Sequence, residues 1–254
     1  MAEVSRRTFV KGAALGAATI STAGILAACA TESKPAEEPK AEPEQPQAPA
    51  AEVLSPTTAP TADTGSNFEA VPDSITPVGT TYENLLTAIE GETGATTKYE
   101  AFADAAEKEG FTQIARLFRC TADAEKIHID LEYNLAKEID PATEKPEPPK
   151  VEPLGSGLNL IAGANGEIYE TSDMYPTFIK VAQEEGNQQA VQVFTRAKLA
   201  EAYHAERYLD AYNTIDTPSD DKYYLCPLCG YIHKGENFTA CPICLAPKDQ
   251  FTAY

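Results

Sequence analysis

From Thr81 onward the apolar residues recur at steps of three, four and seven: Leu85, Leu86 and Ile89, then Tyr99, Phe102 and Ala106, then Ile114, Leu117 and Phe118, then Ile127, Leu131 and Leu135. That period is the signature of amphipathic helices. Gly110 falls between two such runs, where a helix C-terminus would place it, so helices are expected over 81–108 and 111–138. Residues 140–157 hold five prolines, each lacking a backbone donor, and must form a long connection. Two further helical runs follow, 159–185 and 188–213, parted by Gly186.

The second pair of runs repeats the first. Residues 99–128 set against 175–204 without a gap share ten identities in thirty, among them Tyr99/Tyr175, Glu109/Glu185, Gly110/Gly186, Glu125/Glu201 and His128/His204. A duplicated helical hairpin with a long crossover makes a mainly α chain with a ferritin-like four-helix bundle over residues 80–215.

In each half the repeat carries Glu-x-x-His, as Glu125 with His128 and Glu201 with His204. Three-residue spacing puts both side chains on one helix face. On the preceding helix of each half, just after a glycine, stands a further carboxylate, Glu92 or Glu167. One Glu from each of two helices and Glu-x-x-His from the other two form the ligand set of a carboxylate-bridged pair of metal ions. Carboxylate with imidazole suits iron or manganese, and zinc would tolerate the same atoms. So many acids would be costly to bury without a cation. The acidic runs "EKEG" and "QEEG" read as solvated helix ends, and Cys120, by itself on a helix, as a small core residue.

The flanking segments differ in composition. The formal charge of -19 argues against a nucleic-acid partner. At the front, Arg6, Arg7 and Lys11 precede seventeen uncharged, mildly apolar residues, too few for a membrane span, and residues 1–29 are expected to be an export signal. "SRRTFVK" resembles a twin-arginine signal, and "LAAC" resembles a lipobox ending at Cys29, which would be lipidated. Export, and anchoring as a lipoprotein facing the periplasm or cell exterior, are the implied outcomes. Residues 30–79 hold nine prolines and seven glutamates and read as a disordered tether. At the other end, over 221–254, Cys226-x-x-Cys229 and Cys241-x-x-Cys244 are separated by eleven residues. Such pairs form two knuckles around one tetrahedral metal, a structural zinc ribbon and paired disulfides being the alternatives. His233 is expected to be a hydrogen-bonding loop residue.

Taken together, "GETGATTKY", "EKIH", "GEIYETSDMYP", "AEAYH" and the cysteine module, spanning about residues 80–254, resemble the rubrerythrins. The resemblance implies that Glu92 and Glu125 hold the first iron and that Glu167, Glu201 and His204 hold the second, with Glu125 and Glu201 bridging. It further implies that the first iron exchanges Glu170 for His128 on reduction, and that Tyr99 and Tyr175 stand beside the ligands. "YLCPLCGY" resembles rubredoxin, implying a one-electron iron at Cys226, Cys229, Cys241 and Cys244, with zinc possible there. Three irons per chain and reduction of hydrogen peroxide to water follow from the resemblance. So do an external electron donor and a homodimer in which the module of one chain serves the bundle of another. An iron-oxidising or iron-buffering protein and a non-enzymatic electron carrier are the alternatives. Thr96, Thr97 and Asp173 depart from the family pattern.

Overall fold

The computed structural model describes residues 74–254; the expected signal, Cys29 and the tether up to residue 73 lie outside the described residues. Helix α1 runs Thr81–Glu109 and α2 Thr112–Ile139. A third rod is built in three pieces, α3 (Ser156–Tyr169), a π-helical turn (Glu170–Met174) and α4 (Tyr175–Glu184), and α5 spans Gln188–Asn213. The rods start and stop within a few residues of the periodic runs. Thr80 starts α1 with a reciprocal capping box to Glu83, and Asn187 caps α5 through the Ala190 amide. Gly110 and Gly186 end their helices at φ of 88° and 73°, left-handed backbone that a side chain disfavours.

Helix α1 packs along α2, α3 and α4 pack along α5, and α2 crosses α5. Two apolar clusters fill the interior. Tyr99, Phe102, Phe118 and Tyr208 belong to one, and Tyr175, Phe178 and Phe194 to the other. The duplication also pins the two hairpins together at their ends. Glu185 accepts the Thr81 amide at 3.0 Å, and its repeat mate Glu109 accepts the Ser156 amide at 3.1 Å. The "EKEG" and "QEEG" acids are exposed, as their sequence suggests, yet Glu109 and Glu185 each satisfy an orphan donor at the start of a helix in the other half.

One irregularity follows from the residue count. Tyr99 lies seven positions after Glu92, whereas Tyr175 lies eight after Glu167. In a regular helix that extra residue would rotate the tyrosine by about 100°. The wide π turn absorbs it. The turn also comes just before Pro176, whose missing amide a regular helix would have needed. The last residues of the expected tether bond to this turn. The Ser74 hydroxyl and the Thr76 hydroxyl (2.9 Å) reach Asp173 Oδ1, and the Ile75 amide reaches Oδ2 at 3.1 Å.

After α5 the chain forms a small antiparallel sheet in the order β2-β1-β3, from Tyr223–Leu225 (β1), Ile232–Lys234 (β2) and Thr252–Ala253 (β3). Register Leu225↔Ile232 sets the first cysteine knuckle between β1 and β2. His233 is a hydrogen-bond partner as expected, its Nδ1 lying 2.9 Å from the Tyr231 hydroxyl, but it stands on strand β2 opposite Tyr224 rather than in a loop; Cys120 is fully buried in the bundle.

Candidate metal centres

Between the two apolar clusters the four rods turn six carboxylates inward: Glu92, Glu125, Glu132, Glu167, Glu170 and Glu201, with His128 and His204 among them. Glu125 and Glu201 lie across both histidines. Glu125 points Oε2 at His128 Nδ1 (3.1 Å) and Oε1 at His204 Nδ1 (3.7 Å). Glu201 does the same at 2.7 and 2.6 Å through its Oε1 and Oε2. Glu92 closes the His128 side at 3.8 Å and Glu167 the His204 side at 3.4 Å. Two four-residue groups result, Glu92-Glu125-His128-Glu201 and Glu125-Glu167-Glu201-His204, which share the two bridging carboxylates.

The donor atoms fit a pair of cations. Both oxygens of Glu125 and Glu201, Oε2 of Glu92 and Glu167, and Nδ1 of both histidines are buried without a hydrogen-bond partner. Such orphaned atoms are rare in a folded interior and point to an ion. Four carboxylates with two neutral imidazoles also balance the charge of two divalent ions. Hydrogen bonds on the far side fix the imidazole tautomer: Nε2 of His128 lies 3.1 Å from the Cys229 carbonyl, and Nε2 of His204 lies 2.8 Å from the Gly230 carbonyl. Each Nε2–H donates outward, which leaves Nδ1 bare toward the centre. The two tyrosines cross over, Tyr99 donating to Glu167 Oε1 and Tyr175 to Glu92 Oε1. Burial first, and the facing acids next, hold both phenols far above their usual range, so both remain donors.

The structure brings Glu92, Glu125, His128, Glu167, Glu201 and His204 together in these two groups. Glu170 lies on the π turn close to the pair but outside both four-residue groups, one of its oxygens unpartnered, while His128 is inside. Glu132 was missed. It sits seven residues after Glu125 on the same face of α2, but the repeat offers no matching acid, because the corresponding position is Tyr208.

Without cations the cluster must hold protons instead. Burial, followed by neighbouring carboxylates, pushes Glu92, Glu167 and Glu170 well above the usual 4.5, and burial raises Glu132 to about 8. Burial works against His128 and His204, but the Glu201 charge raises both, and the same two imidazoles hold Glu201 down against its own burial. Folded metal-free protein therefore binds more protons than the unfolded chain from about pH 5 to 8. Its stability is fullest at the acid end of that window and declines as pH rises; Glu201 acts oppositely only below about pH 4.5. Chelator-treated protein is expected to melt at a lower temperature at pH 8 than at pH 5, and iron-loaded protein to lose that slope. Thermal melts of both forms across this range check it.

The second centre is the cysteine module. Its four sulfurs lie within 4.8 Å of one another, with Cys226–Cys244 at 3.4 Å and Cys229–Cys241 at 3.5 Å. Sulfurs bound to one metal at about 2.3 Å would stand roughly 3.8 Å apart. None of the four is in a disulfide, which sets aside the paired-disulfide alternative. The module rests on the bundle of its own chain through the Cys229 and Gly230 carbonyls.

A family model described as rubrerythrin matches residues 83–212, and the rubrerythrin rubredoxin-like domain matches 224–252. The chain is 65% identical over 195 residues to nigerythrin of Nitratidesulfovibrio vulgaris, covering 77% of this chain and 96% of that protein. It is 35% identical to rubrerythrin of the same organism, covering 67% and 92%. The solved structure of fully reduced, all-ferrous nigerythrin matches with a TM-score of 0.74 at 64% identity, covering 78% of this chain and 98% of that one. The bundle carries a di-iron carboxylate site and the module a rubredoxin-like four-cysteine site. Ligand geometry and likeness agree, and this chain belongs to the rubrerythrin family.

Proposed function

We propose that the protein reduces hydrogen peroxide to water. The observation that carries this reading is Glu170, a buried carboxylate beside a pair already furnished with four carboxylates and two imidazoles. A fixed pair does not need it. When bound, the two irons supply both electrons to the peroxide O–O bond. Two electrons, two protons and one peroxide give two waters, so the surrounding residues must manage charge and hydrogen bonds.

Glu125 and Glu201 hold their charge between the two positions throughout. Glu170 would supply a further negative charge to the first position when a metal there is more positive, and His128, whose Nε2–H is bonded to the Cys229 carbonyl, would serve it when it is less so. Tyr99 donates its hydroxyl to Glu167 and steadies that carboxylate, while the Tyr175 hydroxyl stands between Glu92 and Glu132. The cysteine module returns electrons singly, its nearest backbone bonded to one histidine of each position. An external donor refills the module, and two chains associate as a homodimer. Residues 1–29 export the folded chain by a twin-arginine-type route, which would let both centres load iron before the thiols meet an oxidant, and Cys29 tethers it to a membrane.

Anaerobically reduced protein is expected to be reoxidised by stoichiometric peroxide much faster than by dissolved oxygen. Glu170→Gln should keep its iron and lose on the order of ten- to a hundredfold in peroxide turnover. Stopped-flow absorption decides it, and reoxidation by oxygen at an equal or greater rate would favour the iron-oxidising alternative. Recovery of native protein in the membrane fraction, and its release by Cys29→Ser, checks the anchoring.

A further inference from the structure

Glu132 is fully buried on α2, four residues past His128, and is in neither metal-binding group. Its Oε1 lies 2.9 Å from the Tyr175 hydroxyl, which also contacts Glu92 Oε1. Its other oxygen has no hydrogen-bond partner. A phenol has one proton, so it can serve one of these two carboxylates at a time.

The repeat makes the arrangement conspicuous. On the opposite side Tyr99 reaches Glu167, and the position matching Glu132 is Tyr208, whose ring centroid lies 5.3 Å from that of Tyr99. One tyrosine faces a single carboxylate and an aromatic ring; the other faces two carboxylates. The extra acid is on the side of Glu92 and His128. Hydrogen bonding to a carboxylate ligand withdraws part of the charge it offers a cation, and a competing acceptor restores it.

We propose that Glu132 is a positioning residue for the first metal position: it competes with Glu92 for the Tyr175 proton and thereby sets how much charge Glu92 presents to a bound cation. The proton turns toward Glu132 when the metal is more positive and toward Glu92 when it is less so. No bond to the metal changes in this step. The inference rests on the di-iron site and is independent of peroxide as substrate.

The test is a set of potentiometric titrations of the bundle irons in full-length, iron-loaded protein. In Glu132→Gln the amide is the poorer acceptor, so Glu92 keeps the proton and the ferric form is less well held. The ferric-to-ferrous ratio at a fixed poise should fall roughly tenfold, the worth of one charge-assisted hydrogen bond. Tyr175→Phe removes the proton from both acids and should shift the ratio the other way. In the Tyr175→Phe background, Glu132→Gln should then change little.

Glu132→Asp keeps the charge but draws it back by one methylene, out of reach of the phenol. It should behave like Glu132→Gln, and it carries the test if the Gln variant does not fold. Equal shifts from Glu132→Gln with and without Tyr175, or wild-type potentials in Glu132→Asp, would overturn the proposal by showing a plain charge acting through space. Unchanged potentials in every variant would overturn it as well. Failure of wild-type protein to load iron in the bundle would instead strike at the metal site itself, and slow peroxide turnover with these shifts intact would strike only at the proposed function.

Discussion

Glu201→Ala is expected to empty the bundle of both irons while leaving the cysteine module loaded. Glu201 is one of two residues common to both four-residue groups, and its oxygens stand 2.7 and 2.6 Å from the two histidines. Loss of groups that merely support a ligand already costs about ten- to a hundredfold in metal affinity, and here each position loses a ligand of its own. Iron analysis should find the thiolate iron alone, with its visible absorption unchanged, and peroxide turnover should drop by at least about a hundredfold. The metal-free fold should suffer too. Glu201 is the acid that His128 and His204 keep ionised, and its removal leaves buried imidazolium charge less compensated, at a cost of about 3 kcal/mol near neutral pH. Full iron content in the bundle of this variant would show that the carboxylate is not shared between the two positions.

Much of this centre was legible because helical spacing and duplication act together. Three-residue spacing fixed each Glu-x-x-His pair on one face, and the repeat told that the two faces meet. Two features broke that symmetry and stayed hidden. The interval Glu167 to Tyr175 is one residue longer than Glu92 to Tyr99, but only the folded rod shows that a π turn absorbs the surplus and carries Glu170. Glu132 is an acid whose matching position in the repeat is Tyr208, so no pairing of like residues drew attention to it. Contacts between the ends of the two hairpins, through Glu109 and Glu185, were illegible for a different reason. Exposed acids at helix ends are common, and which amide they meet depends on how the hairpins dock. Nor does any local pattern say that the cysteine module would rest on the histidines of its own chain.

That docking yields the second large expected effect, from Gly230→Ala. Gly230 has φ of 75°, which costs a side chain about 1 kcal/mol or more, and a Cβ built there would overlap the His128 imidazole. The backbone cost alone is bearable in such a knuckle. Leu245, just after the last cysteine, holds a φ of 64° and is 77% exposed. It is the imidazole that reserves position 230 for glycine. The overlap adds roughly 1–3 kcal/mol, relieved most readily if the module backs away from His128. The Cys229 carbonyl (3.1 Å from His128) and the Gly230 carbonyl (2.8 Å from His204) would then withdraw together. Gly230→Ala should therefore keep all its iron and its single-turnover reaction with peroxide, yet pass electrons from the thiolate iron to the bundle at least about tenfold more slowly, each hydrogen bond being worth about 1 kcal/mol. Gly235→Ala is the matched control, with φ of 83° and open space where its Cβ would lie. It bears the backbone cost without the collision, so it should lower the melting temperature and leave the electron-transfer rate as it was. Rapid reduction of the module followed at both chromophores separates the two variants. Equal slowing in both would assign the effect to loosening of the module as a whole rather than to its contact with the histidines.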